Sequence, residues 1–238
     1  MLGLRLSFGG GLKVEGKIKE VEVVRHTLFD RVHHWVHVSL MLTLGLTGIQ
    51  IYYGFNLFGG FEIARAIHML AAILLAIWYL PVQFYYLIAT GEIRDFLLSF
   101  DDIRFQFYAV GNFMKLFRFY PVYSIYDTMR RQYFRKYNAG QKFLFWLDLV
   151  AVLLIGLTGI AMYWPDFFAG FLPLIGWAGG LALIRSIHFF LFWYFIATTA
   201  VHVYLGMIPV NWEHFKSIFT GKSREKAKPA ITSLRKRR

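Results

Sequence analysis

The side chains best suited to chemistry in this chain are histidines, and two of them, His188 and His202, lie fourteen positions apart in one apolar stretch. On an α-helix that spacing is nearly four turns, so both imidazoles face the same way with about 21 Å of axis between them. An ionisable group in so apolar a segment is costly in a bilayer and normally faces a bundle interior, and imidazole is a common ligand of haem iron. The pair suggests two haems at two depths. An arginine precedes a histidine by three residues in Arg31 and His34, Arg65 and His68, and Arg185 and His188. Residues three apart share a helix face, so each guanidinium is placed to meet a haem propionate beside its imidazole. The alternative is an arginine that anchors a span end by snorkelling to the interface.

Four apolar runs are available to position these groups, at about 34–53, 67–89, 143–163 and 187–208. Each has about the 20 residues needed to cross the hydrocarbon core. With 57% hydrophobic and 17% charged residues, the composition is too apolar for a soluble domain of this length. The first run carries histidines and has no small-residue cleavage site, so it is read as a retained span and not a signal peptide. The absence of cysteine removes thiolate-ligated clusters and covalent haem attachment, leaving coordination and packing to hold any haem.

Basic residues set the expected orientation. Of 26 Lys and Arg, only Arg65 and Arg185 lie in the connections between spans one and two and between three and four. The rest fall before the first span, in the loop 90–142 or in the tail 209–238, which predicts both termini and that loop on the cytoplasmic side. The expected fold is an all-α membrane protein, a four-transmembrane-helix bundle enclosing two b-type haems. A basic tail beside a span meets anionic lipid or a partner subunit, so no nucleic-acid partner is expected.

Depth then sorts the histidines. With spans alternating in direction, His68 and His188 fall near the outer side and His34 and His202 near the inner side. Two bis-histidine sites result, one per level, each with a six-coordinate iron suited to electron transfer. His33 and His37 compete with His34 as the inner ligand, whereas His26 and His214 lie in the flanks and are left out. Asp148, the one acid within a span, is expected either to relay protons or to pair with a base such as Lys142. Residues 93–119 mix apolar and charged side chains as an interfacial helix does. No role is assigned to the first 20 residues, with glycines at 9–11, or to the tail beyond Gly221.

An internal echo supports two tandem hairpins. His34-Trp35 followed by Gly-Leu-Thr-Gly-Ile at 45–49 is matched, at an offset of 111, by Phe145-Trp146 and Gly-Leu-Thr-Gly-Ile at 156–160. Gly45, Gly48, Gly156 and Gly159 could admit a macrocycle face or, equally, close helix packing.

The Arg-x-x-His-Trp start of the first span, the fourteen-residue histidine pair and the loop Lys136-Tyr-Asn-Ala-Gly-Gln-Lys142 together resemble the cytochrome b (gamma) subunit of membrane-bound respiratory formate dehydrogenase. Over about residues 22–210 the resemblance implies two non-covalent haem b groups, with His68 and His188 on the outer iron and His34 and His202 on the inner one. It implies a menaquinone site at Asn138 and Gly140 near His202, to which Gln141 could add a polar contact. It also implies iron–sulfur (beta) and catalytic subunits as partners, a place in the cytoplasmic (inner) membrane of a bacterium or archaeon, and a complex that could form a higher oligomer. Cytochrome b subunits of nickel–iron hydrogenases and thiosulfate reductases share the histidine pattern and stand as the alternative. A haem-free anchor or transporter is the alternative of another class.

Overall fold

A computed structural model describes residues 19–116, 125–127, 132–170 and 180–228. Residues 1–18, 117–119 and 229–238, on which parts of the expectations fall, lie outside the described residues.

The chain order is β1 (Lys19–Val24), α1 (Leu28–Tyr53), α2 (Phe61–Thr90), α3 (Ile93–Phe96), α4 (Phe100–Phe113), β2 (Ile125–Asp127), β3 (Gln132–Arg135), α5 (Ala139–Tyr163), α6 (Pro165–Phe168), α7 (Leu181–Met207), α8 (Trp212–Thr220) and β4 (Lys222–Lys228). Four of these, α1, α2, α5 and α7, are long and apolar enough to cross a membrane. Their polar ends, not their apolar runs, decide where two of them begin. Thr27 caps α1 in a reciprocal box with Asp30, and Asn138 caps α5 in the same way with Gln141. Each box satisfies two first-turn amides that no intrahelical carbonyl can reach. The helices consequently start four to six residues before the apolar runs, as the caps at 27 and 138 require.

Within α2, Trp78–Val82 forms a π turn around Pro81. Proline has no amide to donate, and a widened turn re-routes the backbone bonds: the Gln83 amide reaches back to the Trp78 carbonyl. The spans pack as two hairpins, α1 with α2 and α5 with α7. Leu75, Tyr79 and Val152 form a small buried core, flanked by Leu40, Met41 and Leu44 of α1, Leu149 of α5 and Phe195 of α7, so all four helices meet at mid-height. Large apolar side chains such as Leu70, Ile73, Leu157, Phe190 and Val201 are exposed along the outer faces. In a bilayer those faces meet lipid tails, for which no burial inside the chain is needed.

The all-α expectation is corrected at one end of the bundle. There the strands form a four-stranded sheet in the order β1-β4-β2-β3. β1 and β4 run antiparallel, with Lys19 opposite Ala227 and Val24 opposite Lys222. The flanks on either side of the four spans therefore meet at the same end. The alternation Lys-Glu-Val-Glu-Val-Val is a strand signal in the sequence, with successive side chains on opposite faces. The tail beyond Gly221 is thus ordered through residue 228 by pairing within the chain. Within 93–119 the described residues form the short helix α3 and the capped helix α4.

Candidate redox centre and its flanking polar loop

At the end of the bundle away from the sheet, His68 of α2 and His188 of α7 face each other with ring centroids 6.4 Å apart. Two imidazole nitrogens bound at about 2 Å on opposite sides of one iron would place their ring centroids about 6 Å apart. Each ring has one nitrogen already engaged. His68 Nδ1 lies 2.9 Å from Thr47 Oγ1, and His188 Nδ1 lies 3.0 Å from Thr158 Oγ1. Glycine brings the neighbouring helix close: a Cβ on Gly48 would sit 3.5 Å from His68 Cε1, and one on Gly159 3.4 Å from His188 Cε1. These two glycines lie against the imidazoles, whereas Gly45 faces Phe192 and Gly156 meets nothing within 4 Å among the described residues. Among the described residues no cluster of three or more His, Cys, Asp or Glu side chains gathers. Two facing imidazoles fall short of the four donors of a structural zinc centre and are of the donor type that would hold a haem iron.

At the sheet end, His34 and His202 lie within electrostatic range of one another. His33 is engaged elsewhere: its Nε2 donates to the Trp78 carbonyl at 3.3 Å, its ring stacks on the Trp78 indole, and Trp78 Nε1 donates back to the His33 carbonyl. The π turn at Trp78 thus holds His33 as a packing residue. His37 lies against the Tyr79 ring, with a buried Nδ1 that finds no hydrogen-bond partner among the described residues. Sequence spacing alone left these three open.

The arginines differ in their surroundings. Arg31 Nη1 donates to the Phe219 carbonyl at 2.8 Å, at the end of α8 where unpaired carbonyls collect. Arg65 pairs with Glu62 at 2.7 Å and lies over the rings of Phe61 and Tyr163. Arg185 is exposed one turn beyond His188. Asp148 accepts a hydrogen bond from the Tyr194 hydroxyl at 2.8 Å. The expected pairing of Asp148 with Lys142 is corrected: Lys142 Nζ bonds Asp102 at 3.0 Å and the Leu97 carbonyl at 3.1 Å, because α3 and α4 fold over the start of α5.

That fold-over shapes the polar loop. Asn138 Oδ1 accepts from the Gln141 amide at 2.8 Å, and Gln141 Oε1 accepts from the Asn138 amide at 2.9 Å. The box occupies the two side-chain oxygens and leaves both NH2 groups as donors. Gly140 lies in the first turn, where the backbone amide has no intrahelical acceptor. A Cβ there would meet Gln106 Oε1 of α4 at 3.4 Å, so a third amide side chain joins the loop. Gln106 was not foreseen, because nothing in its local sequence marks the approach of α4 to α5. Behind the loop, Arg25 Nη2 donates to the Lys136 carbonyl at 2.8 Å, Arg25 Nη1 pairs with Glu225 at 2.6 Å, and Lys136 pairs with Glu92 at 3.1 Å. Glu225 also accepts from Ser223 at 2.7 Å and Tyr133 at 3.3 Å. Burial would raise the Glu225 pKa, but the hydrogen bond from His214 and the Arg25 charge outweigh it and hold the carboxyl well below its usual range.

Four apolar spans and facing histidines define a membrane-embedded cytochrome. The family model for prokaryotic cytochrome b561 matches residues 25–221, and the chain belongs to that family. Its cofactor class is accordingly haem b and its role electron transport. The chain is 28% identical over 232 residues to the F420 non-reducing hydrogenase II cytochrome subunit of Methanosarcina mazei, covering 87% of this chain and 85% of that one. It is 27% identical over 185 residues to the nitrate-inducible formate dehydrogenase cytochrome b556(Fdn) subunit of Escherichia coli K12, covering 71% and 76%. The formate dehydrogenase cytochrome b556(fdo) subunit of the same organism is 25% identical over 191 residues, covering 78% and 79%.

Proposed function

We propose that the chain is the di-haem membrane subunit of a dehydrogenase complex and passes electrons from a partner at the outer face to menaquinone at the inner one. Haem b would supply reversible one-electron chemistry. His68 and His188 would hold it at the outer level and His34 and His202 at the inner level. A haem held by two imidazoles would favour electron transfer over binding of a substrate at the iron. Arg31, Arg65 and Arg185 are the proposed propionate partners, each three residues from one of these histidines. The basic distribution supports the sheet end being cytoplasmic, in the cytoplasmic membrane of a bacterium or archaeon.

For the quinone, the NH2 groups of Asn138 and Gln141 and the first-turn amide of Gly140 are donors at a helix start, with Gln106 as a further wall and His202 on the neighbouring span. Such groups recognise a quinone oxygen by donating to it. Asp148, hydrogen-bonded to Tyr194, is the proposed internal stage for protons drawn from the sheet end. An iron–sulfur subunit and a catalytic subunit are the proposed partners, which places substrate oxidation outside this chain. The Lys136-Tyr-Asn-Ala-Gly-Gln-Lys142 loop favours a formate dehydrogenase partner. The likeness to a hydrogenase cytochrome subunit over 87% of the chain supports a hydrogenase as the second reading.

The observation that carries the proposal is the facing His68–His188 pair with both Nδ1 atoms already engaged. A redox titration of the purified chain, followed in the b-type α-band, should resolve two components. H68A should remove one and H202A the other. Absence of any b-type band would overturn the reading, and co-purification of the complex would separate the two partners.

A further inference from the structure

We infer that Thr47 and Thr158 are positioning residues for the outer histidine pair, each fixing the tautomer and ring plane of the imidazole packed against it. The inference rests on the reading that His68 and His188 are axial ligands. It concerns threonines to which the sequence pattern assigned no role.

A hydroxyl has one proton to give. Thr47 Oγ1 lies 2.6 Å from the Thr43 carbonyl and 3.2 Å from the Leu44 carbonyl, and Thr158 Oγ1 lies 2.8 Å and 3.0 Å from those of Leu154 and Ile155. Carbonyl oxygens only accept, so each threonine proton is committed to its own helix backbone. What each Oγ1 presents to the imidazole is a lone pair, and Nδ1 must be the donor. With the proton held on Nδ1, Nε2 of each ring carries a bare lone pair, the form that a metal binds. Gly48 and Gly159 complete the cradle from the next position, where a Cβ would lie 3.5 Å and 3.4 Å from the Cε1 atoms of His68 and His188. The helices need this help because an unrestrained neutral imidazole could place its proton on either nitrogen.

The device occurs twice, at an offset of 111, once in each hairpin. In both, the first helix of the hairpin supplies Thr-Gly and the second supplies the histidine. Each histidine is therefore held by a contact within its own hairpin. Hydrogen bonding from Nδ1 also raises the electron donation of the ring, which favours the oxidised iron.

The test uses the purified membrane complex. T47V and T158V keep side-chain volume and remove the acceptor. Each should move the midpoint potential of one haem component to a more positive value and shift its low-spin EPR signal, while the other component keeps the wild-type position. The outer haem should also be lost about 10-fold more readily on dilution. T47S and T158S, which restore the hydroxyl, should return potential and spectrum to the wild-type values. In the wild-type protein, 15N-histidine labelling with pulsed EPR should find the remote nitrogen of both outer ligands protonated. Wild-type potentials and EPR signals in both valine variants, or an unprotonated remote nitrogen, would overturn the positioning role. A wild-type preparation without the outer component would overturn the ligand assignment instead.

Discussion

Asn138 has two duties that alanine would remove together. Its Oδ1 caps α5, and its NH2 group faces the proposed quinone position. Losing the cap costs about 1 kcal/mol of stability, so N138A should both lower the melting temperature and weaken quinone reduction. N138D keeps a capping oxygen and loses the amide donor. It should keep the wild-type melting temperature while KM for a quinone analogue rises several-fold in a steady-state assay. Equal quinone kinetics for N138D and the wild type would reduce Asn138 to a cap. Asp148 is separable in the same manner through its partner: D148N should slow quinone turnover with both haem spectra intact, and Y194F should reproduce part of that effect by removing the 2.8 Å hydrogen bond. Unchanged turnover in both variants would exclude the relay.

Elements that sequence and structure share are the apolar ones. The four spans were legible because about 20 uncharged residues in a row have few other uses. Their beginnings were not, since Thr27 and Asn138 extend the helices by polar hydrogen bonds that an apolar run does not register. In the candidate site, the histidine spacing is visible in the sequence and the threonine contacts are not: Gly-Leu-Thr-Gly-Ile stands out for its glycines, while its hydroxyls meet the imidazoles only once two helices pack. The sheet was missed although β1 alternates visibly, because its partner lies about 200 residues away and β2 and β3 span three and four residues. The Arg25–Glu225 pair, which joins the end of β1 to β4, is buried on both sides. Removing one partner of such a pair costs about 3 to 5 kcal/mol, so R25M should expose the sheet segments in hydrogen exchange and loosen the Lys136–Asn138 loop tied to Arg25.

At the scale of the whole molecule, the sheet end is also where acid should act first. Burial, together with the charges of Arg25 and Lys136, pushes the His26 pKa down from 6.5 to about 3. Between those values the unfolded chain binds a proton that the folded one does not, so stability rises with pH across that window. Thermal unfolding of the purified protein should therefore fall in midpoint between pH 7 and pH 5, and H26Q should flatten the dependence. Glu225 works in the same direction at lower pH: its depressed carboxyl pKa contributes stability above the ordinary carboxylate range, which is lost as acid protonates it. A slope that survives H26Q unchanged between pH 7 and pH 5 would assign the effect elsewhere.

The pairing of Lys19 with Ala227 has a consequence for how the molecule is made. At about 5 to 20 residues per second, synthesis takes about 10 to 40 seconds to deliver β4 after β1 has emerged. For that interval β1 has no β4 to pair with, and its edge is open to whatever strand comes near. Only an even number of completed crossings returns the tail to the side where the first strand waits. The β1–β4 pair can form only after the fourth span has been made, so a chain stopped after Gly221 should reach the membrane yet be cut by protease near residues 19–24. A nascent chain would then carry, in two short strands, a mark that its last span is complete.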